Sequence, residues 1–187
     1  MTNNGRIFGC YKRIHFVGIG GISMSSLAAI AKSCGHTVSG SDDDGGNIML
    51  SHLRELGINI HIGLCAENID AEKPDAVVYT AAIREDNPEL VRARELNIPE
   101  FTRAEYLGEV MKNYRQRIGV SGTHGKSTTT AMVYSVYDAA GLVPTLCLGA
   151  TLPSSGSAYT IGNRDAFIYE ACEYTDSFLH FYPSTAL

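Results

Sequence analysis

At 187 residues the chain has room for one large hydrophobic core or two small ones. Its 44% hydrophobic and 19% charged residues are ordinary for a globular protein, and a net charge of -5 argues against a nucleic-acid partner, which asks for a basic face. The five cysteines (Cys10, Cys34, Cys65, Cys147 and Cys172) are odd in number and scattered without a CxxC pair. That argues against a disulfide framework or a zinc cluster and for free thiols in a reducing compartment. Residues 1–13 lack the apolar run of a signal peptide, and no stretch approaches about 18 consecutive apolar residues. A cytoplasmic location, with no membrane association, is the expectation.

In chain order, residues 13–17 (Arg-Ile-His-Phe-Val) read as a buried strand running into Gly18, Gly20 and Gly21. A helix is predicted over 23–34, closed by Gly35 as a C-cap glycine. A strand at 36–40 leads into the polar run Ser41-Asp42-Asp43-Asp44. Asn47 is placed to cap a helix that ends at Gly57. Strands at 58–62 and 76–79 and helices at 89–96 and 104–111 continue the alternation. Such alternation with short links predicts a parallel sheet covered on both faces, in a doubly wound, Rossmann-like α/β domain over 1–112. The Gly18 loop, the Ser41-Asp42 turn and the loop Thr80-Ala81-Ala82 then share one rim, where such domains bind ligands.

After a polar link, residue 116 opens a second α/β unit, expected over 116–187. It comprises a strand at 117–120, a glycine loop, a helix over 127–140, and strands at 143–148 and 166–169. Residues 153–162, rich in Ser and Gly, read as a surface hairpin or loop.

The loop Gly122-Thr123-His124-Gly125-Lys126-Ser127, followed by Thr128, sits between a strand and a helix, where a phosphate-binding loop belongs. Its glycines let backbone N–H groups turn toward an anion, and the helix N-terminus adds partial positive charge. Lys126 can reach terminal phosphates, and the Ser127 hydroxyl can ligate magnesium. The full pattern would place glycine at 120, where Val120 stands, so this is a shortened variant. Glu170, at the end of the strand 166–169, is the partner expected for a catalytic magnesium ion, with Glu173 as an open second candidate.

The first loop, Gly18-Ile19-Gly20-Gly21-Ile22-Ser23, is close to the dinucleotide fingerprint, but Ser23 stands where the third glycine belongs. Asp42 falls where an acidic residue meets a ribose hydroxyl. A nicotinamide or flavin nucleotide, or the diphosphate of a nucleotide sugar, is compatible with these residues alone.

The motifs together resemble the Mur ligase family. The resemblance rests on the run from His15 to Ser25, on Ser39-Gly40-Ser41-Asp42, on Tyr79-Thr80-Ala81-Ala82-Ile83 with Asn87-Pro88-Glu89-Leu90, and on Arg103-Ala104-Glu105. It rests also on the Gly-Thr-His-Gly-Lys loop and on Glu170-Ala171-Cys172-Glu173-Tyr174 with Ser177-Phe178-Leu179. It covers nearly everything from residue 13 onward and resembles most the branch that couples L-alanine to UDP-N-acetylmuramate. Two residues depart from the pattern: Ser23 replaces the commoner glycine, and Cys172 stands where this branch often has aspartate.

The resemblance implies an ATP-dependent, amide-forming ligase of peptidoglycan synthesis that uses Mg2+. Gly122, Thr123, His124, Gly125, Lys126, Ser127 and Thr128 would bind ATP, with Lys126 catalytic and Ser127 and Glu170 on the metal. Gly18, Gly20, Gly21, Ile22, Ser23, Ser41, Asp42, Thr80 and Ala81 would bind the UDP-sugar. Family members are much longer, so the chain is expected to be an N-terminal fragment that keeps UDP-sugar binding without full catalysis. Alternatives are a tripeptide-recycling ligase of the same family and a non-enzymatic nucleotide-sensing module. An oxidoreductase lacks a hydride-chemistry constellation after the fingerprint.

Overall fold

The computed structural model describes residues 10–152, 156–171 and 179–187. It divides into two compact units, the first ending at Tyr106 and the second beginning at Leu107. The polar link that the sequence places at 112–116 therefore lies inside the second unit. No helix among the described residues is long and apolar enough to cross a membrane.

The first unit is built on five parallel strands: β1 (Arg13–Val17), β2 (Thr37–Asp42), β3 (Asn59–Ile62), β4 (Ala76–Tyr79) and β5 (Glu100–Thr102). They lie in the order β3-β2-β1-β4-β5. From β1 the chain builds outward to one side through β2 and β3, then returns to the other side through β4. The carboxyl ends of β1 and β4 thus flank a switch point, where doubly wound sheets take their ligands. Four of the five β1 residues are buried, as a strand covered on both faces requires.

Helix α1 (Ile22–Ser33) buries a continuous run from Met24 to Ala31. Its serines tolerate this because Ser25 and Ser26 both donate their hydroxyls to the Ile22 carbonyl. Gly35, at φ +96°, closes it as expected. Helix α2 (Ile48–Glu55) starts at Asn47, whose side chain accepts from Met49 N at 2.9 Å, the predicted cap. Helix α4 (Pro88–Glu95) has Asn87 as its cap and proline in its first turn. Helix α5 (Arg103–Met111) follows β5.

Two elements escape the periodicity. Helix α3 (Ala66–Glu72) is seven residues long and anchored by one apolar side chain, Ile69, too little to register as a repeat. Strand β5 has three residues and exists through its pairing with β4.

The second unit holds β6 (Gln116–Val120), helix α6 (Lys126–Ala139), β7 (Thr145–Cys147), β8 (Tyr159–Thr160), β9 (Ala166–Glu170) and β10 (Thr185–Ala186), in the sheet order β10-β6-β9-β7-β8. All pairs are parallel except the antiparallel β7–β8 pair, which makes the predicted hairpin or loop region partly a hairpin. Strand β7 is shorter than the predicted 143–148, because Val143 turns to φ +28° before it. The core gathers Ile118, Leu146, Leu148 and Ile168 under Val133, Tyr134 and Tyr137 of α6.

Gly40 in β2 has a packing reason. A Cβ there would stand 2.7 Å from the Phe16 carbonyl oxygen and 2.5 Å from Ile19 Cδ1. Gly40→Ala is expected to push the first loop off β2 and to destabilise the chain by about 1–3 kcal/mol, read as a lower chemical-denaturation midpoint; an unchanged midpoint would show that the loop is not seated there.

Candidate functional site

In the second unit β6 delivers the chain into the exposed turn 121–125, and α6 starts directly after it. Gly125 holds the N-cap position at φ +78°, a left-handed conformation that glycine adopts without penalty. No side chain caps α6 and no acidic residue lies in its first turn. The first bond back along the chain is Thr129 N to Gly125 O, so the amides of Lys126, Ser127 and Thr128 precede the helical ladder. Free N–H groups at a helix N-terminus, with the helix dipole behind them, are suited to an anion.

Lys126 folds back over the loop, its Nζ donating to the Gly122 carbonyl at 2.7 Å. Ser127 Oγ donates to Glu170 Oε2 at 2.9 Å, and Gly149 N donates to the same oxygen at 3.0 Å. Glu170, at the carboxyl end of β9, is therefore held from α6 and from the segment after β7. The Ser127 hydroxyl and the Glu170 carboxylate are hard oxygen donors of the kind magnesium takes, and together they would hold it. No group of three or more His, Cys, Asp or Glu ligands occurs among the described residues. A two-donor site matches magnesium, which keeps several waters and draws its other ligands from phosphates. Thr123 and His124 stand exposed in the loop, and Thr128 lines a cleft of about 640 Å³ along α6 with Ser127, Met132 and Val136. Cys172, Glu173, Tyr174, Ser177 and Phe178 lie outside the described residues.

In the first unit Gly18 turns at φ +76°, and the Gly18 and Ile19 amides donate to the Ser41 carbonyl at 2.9 and 3.0 Å. Gly20 is clamped from both sides: its N–H donates to Asp42 Oδ2 at 2.8 Å, and its carbonyl accepts from Asn47 Nδ2 at 2.9 Å. A Cβ at Gly20 would lie 2.8 Å from Asp42 Oδ2 and 3.0 Å from Asn47 Nδ2. Gly21 is exposed, with room for a Cβ, and Ile22 is exposed behind it. Like α6, α1 has a glycine N-cap, no side-chain cap and no acidic first turn; the amides of Ile22, Ser23 and Met24 precede its first bond, Ser25 N to Gly21 O. Thr80 is half-buried against Gly18, and Ala81 is exposed on the opposite lip.

Several predicted site residues do work beneath the surface. Asp42 belongs to β2, and its carboxylate accepts from Gly20 N and Asp44 N, so it shapes the loop. Ser41 is fully buried and donates to Glu89 Oε2 at 2.6 Å. Glu89, also fully buried, accepts from Asn68 Nδ2 at 2.6 Å and faces His15 Nε2 at 3.5 Å, while His15 Nδ1 is hydrogen-bonded to Ser39 Oγ at 2.9 Å. Sequence reasoning used Asn47 only as a helix cap and gave no site role to Glu89, Arg103 or Gly149. The Asn-Pro-Glu-Leu and Arg-Ala-Glu runs were the available signals for Glu89 and Arg103.

Two α/β units, one on a parallel and one on a mostly parallel sheet, each with a strand that ends in a glycine loop opening a helix, define an α/β protein. Residues 13–115 match the Mur ligase family, catalytic domain. The UDP-N-acetylmuramate–L-alanine ligase of Acetivibrio thermocellus is 49% identical over 95% of this chain and 37% of its own length. The solved UDP-N-acetylmuramate–alanine ligase of Thermotoga maritima superposes with a TM-score of 0.85 at 39% identity, over 93% of this chain and 40% of that one. The UDP-N-acetylmuramate:L-alanyl-gamma-D-glutamyl-meso-diaminopimelate ligase of Neisseria meningitides gives 0.84 at 33% identity, over 94% and 59%. This chain belongs to the Mur ligase family. It spans about 37% of the length of the curated relatives it matches.

Asn47→Ala removes both the α2 cap and the bond to Gly20. A stability loss of about 1–2 kcal/mol is expected from the cap, with weaker nucleotide binding at the first loop; a stability loss with unaltered binding would show that the clamp on Gly20 is dispensable.

Proposed function

We propose that this chain is the nucleotide-gripping portion of a cytoplasmic ligase that joins L-alanine to the carboxylate of UDP-N-acetylmuramate at the expense of ATP. In this reading the domain over 1–112 takes the UDP-sugar, and 116–187 begins the ATP-binding domain. The observation that carries it is the α6 N-terminus, uncapped and armed with Lys126, with Ser127 set against Glu170.

In the whole enzyme the muramoyl carboxylate would attack the γ-phosphorus of ATP. An oxygen–phosphorus bond forms, the bond to the bridging oxygen breaks, and ADP leaves. The neutral amine of L-alanine then attacks the acyl carbon of the acyl phosphate, and phosphate leaves as the amine proton is lost. Phosphoryl transfer asks the protein chiefly for positioning and charge neutralisation. The amides of residues 126–128 would hold the phosphates. Lys126 would exchange the Gly122 carbonyl for β- and γ-phosphate oxygens and offset charge developing in transfer. Ser127 and Glu170 would hold magnesium, which when bound neutralises phosphate charge. The loop over 18–23 would take the UDP diphosphate on backbone N–H groups, backed by the buried Ser41 and the Gly20–Asp42 clamp.

The tripeptide-recycling reading shares these loops, as the likeness to the Neisseria enzyme indicates. Identity of 49% to an L-alanine ligase, against 33% to that enzyme, favours alanine.

Calorimetric titration tests the assignment. Lys126→Ala is expected to weaken Mg·ATP binding at least about tenfold, the loss of one charge-assisted hydrogen bond, while UDP-N-acetylmuramate binds as before. Unaltered ATP binding in that variant would overturn the assignment. Glu170→Gln is expected to abolish the enhancement of nucleotide affinity by magnesium, and an enhancement that survives would remove Glu170 from the metal. The chain alone is expected to release no ADP in response to L-alanine, and release would contradict the division of labour.

A further inference from the structure

Among the described arginines of the first unit, Arg54 and Arg103 form no ion pair, and of these two only Arg103 is half-buried. Arg13, Arg84, Arg92 and Arg94 each pair with a carboxylate. Arg103 pairs with none among the described residues; its Nη1 donates instead to Ser23 Oγ at 3.2 Å, across 80 positions of sequence. The nearest acidic residue in the chain, Glu105, turns back to accept from Thr102 N and Thr102 Oγ1.

That location is electrostatically unfavourable for a cation. Ser23 lies in the first turn of α1, and Arg103 is itself the first residue of α5. A helix N-terminus carries partial positive charge and is stabilised by anions rather than cations. The α1 first turn holds no acidic side chain that could compensate. A half-buried guanidinium bonded to Ser23 in that first turn puts like charge beside the positive end of the helix, which an anion there would reverse. Ser23 also explains a departure in the sequence. Where the dinucleotide fingerprint has a third glycine, this chain has a hydroxyl, and that hydroxyl is what Arg103 holds.

We infer that Arg103, tethered by Ser23, is a direct contact for the diphosphate of the nucleotide sugar at the first loop. The tether places the guanidinium beside the amides of residues 22–24, and its remaining N–H groups would supply charge-assisted bonds to a phosphate oxygen that backbone amides alone do not give. The inference rests on the reading of that loop as the UDP-sugar site.

The test uses UDP and uridine as probes of the whole chain, by calorimetry for UDP and NMR shift titration for uridine. Arg103→Gln is expected to weaken UDP about tenfold, to leave uridine affinity within about twofold, and to keep or raise the thermal midpoint, because a cation leaves a helix N-terminus. Arg103→Lys should recover part of the UDP affinity. In a double-mutant cycle, Ser23→Gly should weaken UDP in the parent chain and have little further effect once Arg103 is Gln. A parent chain that binds no UDP overturns the UDP-sugar reading itself. A parent that binds UDP while Arg103→Gln binds it equally overturns this inference alone. A lowered midpoint with UDP and uridine weakened alike would also overturn it, by making Arg103 a structural residue.

Discussion

A helix cannot satisfy its own first amides, and the helices here meet that constraint in different ways. Asn47 and Asn87 cap α2 and α4 with side-chain oxygens, so those N-termini are closed. The helices after β1 and β6 have glycine at the N-cap, no side-chain cap and no acid in the first turn. In both cases the open end lies at the carboxyl edge of a parallel sheet, where water or a ligand must supply the acceptor.

The side chains around each open end serve to hold the loop rather than to cover it. Asp42 and Asn47 fix the Gly20 peptide from its two sides, and Gly40 lets Ile19 settle on β2. Beneath them Glu89 ties Ser41 of β2 to Asn68 of α3 and faces His15 of β1. A buried carboxylate is costly unless it is paired and hydrogen-bonded, and here its partners lie on two rim strands and on α3. In the second unit Glu170 performs a comparable service between Ser127 and Gly149. Polar groups already fixed in place need no reorganisation when a ligand binds.

Much of this was legible in the sequence, for identifiable reasons. Short apolar runs and helical apolar spacing, with Gly35 and Gly57 as stops, located most strands and helices, and the glycines marked both strand-to-helix loops. Elements whose existence depends on distant partners were not legible: β5, β8 and β10 are two or three residues long and form by pairing with β4, β7 and β6. Asp42, expected at a ribose hydroxyl, has its carboxylate on Gly20 N. Ser41 was read as a rim contact and is buried on Glu89. Arg103 and Ser23 lie 80 residues apart, and only the fold brings them together.

The central claim, that the two helix starts with glycine at the N-cap are separate nucleotide-phosphate sites, is tested most directly by backbone amide NMR of the labelled chain titrated in turn with UDP and with Mg·ADP. The account predicts that UDP shifts the amides of residues 20–24 and leaves 122–128 unmoved, and that Mg·ADP does the reverse. Shifts from both ligands at one loop only, or at neither, would contradict it.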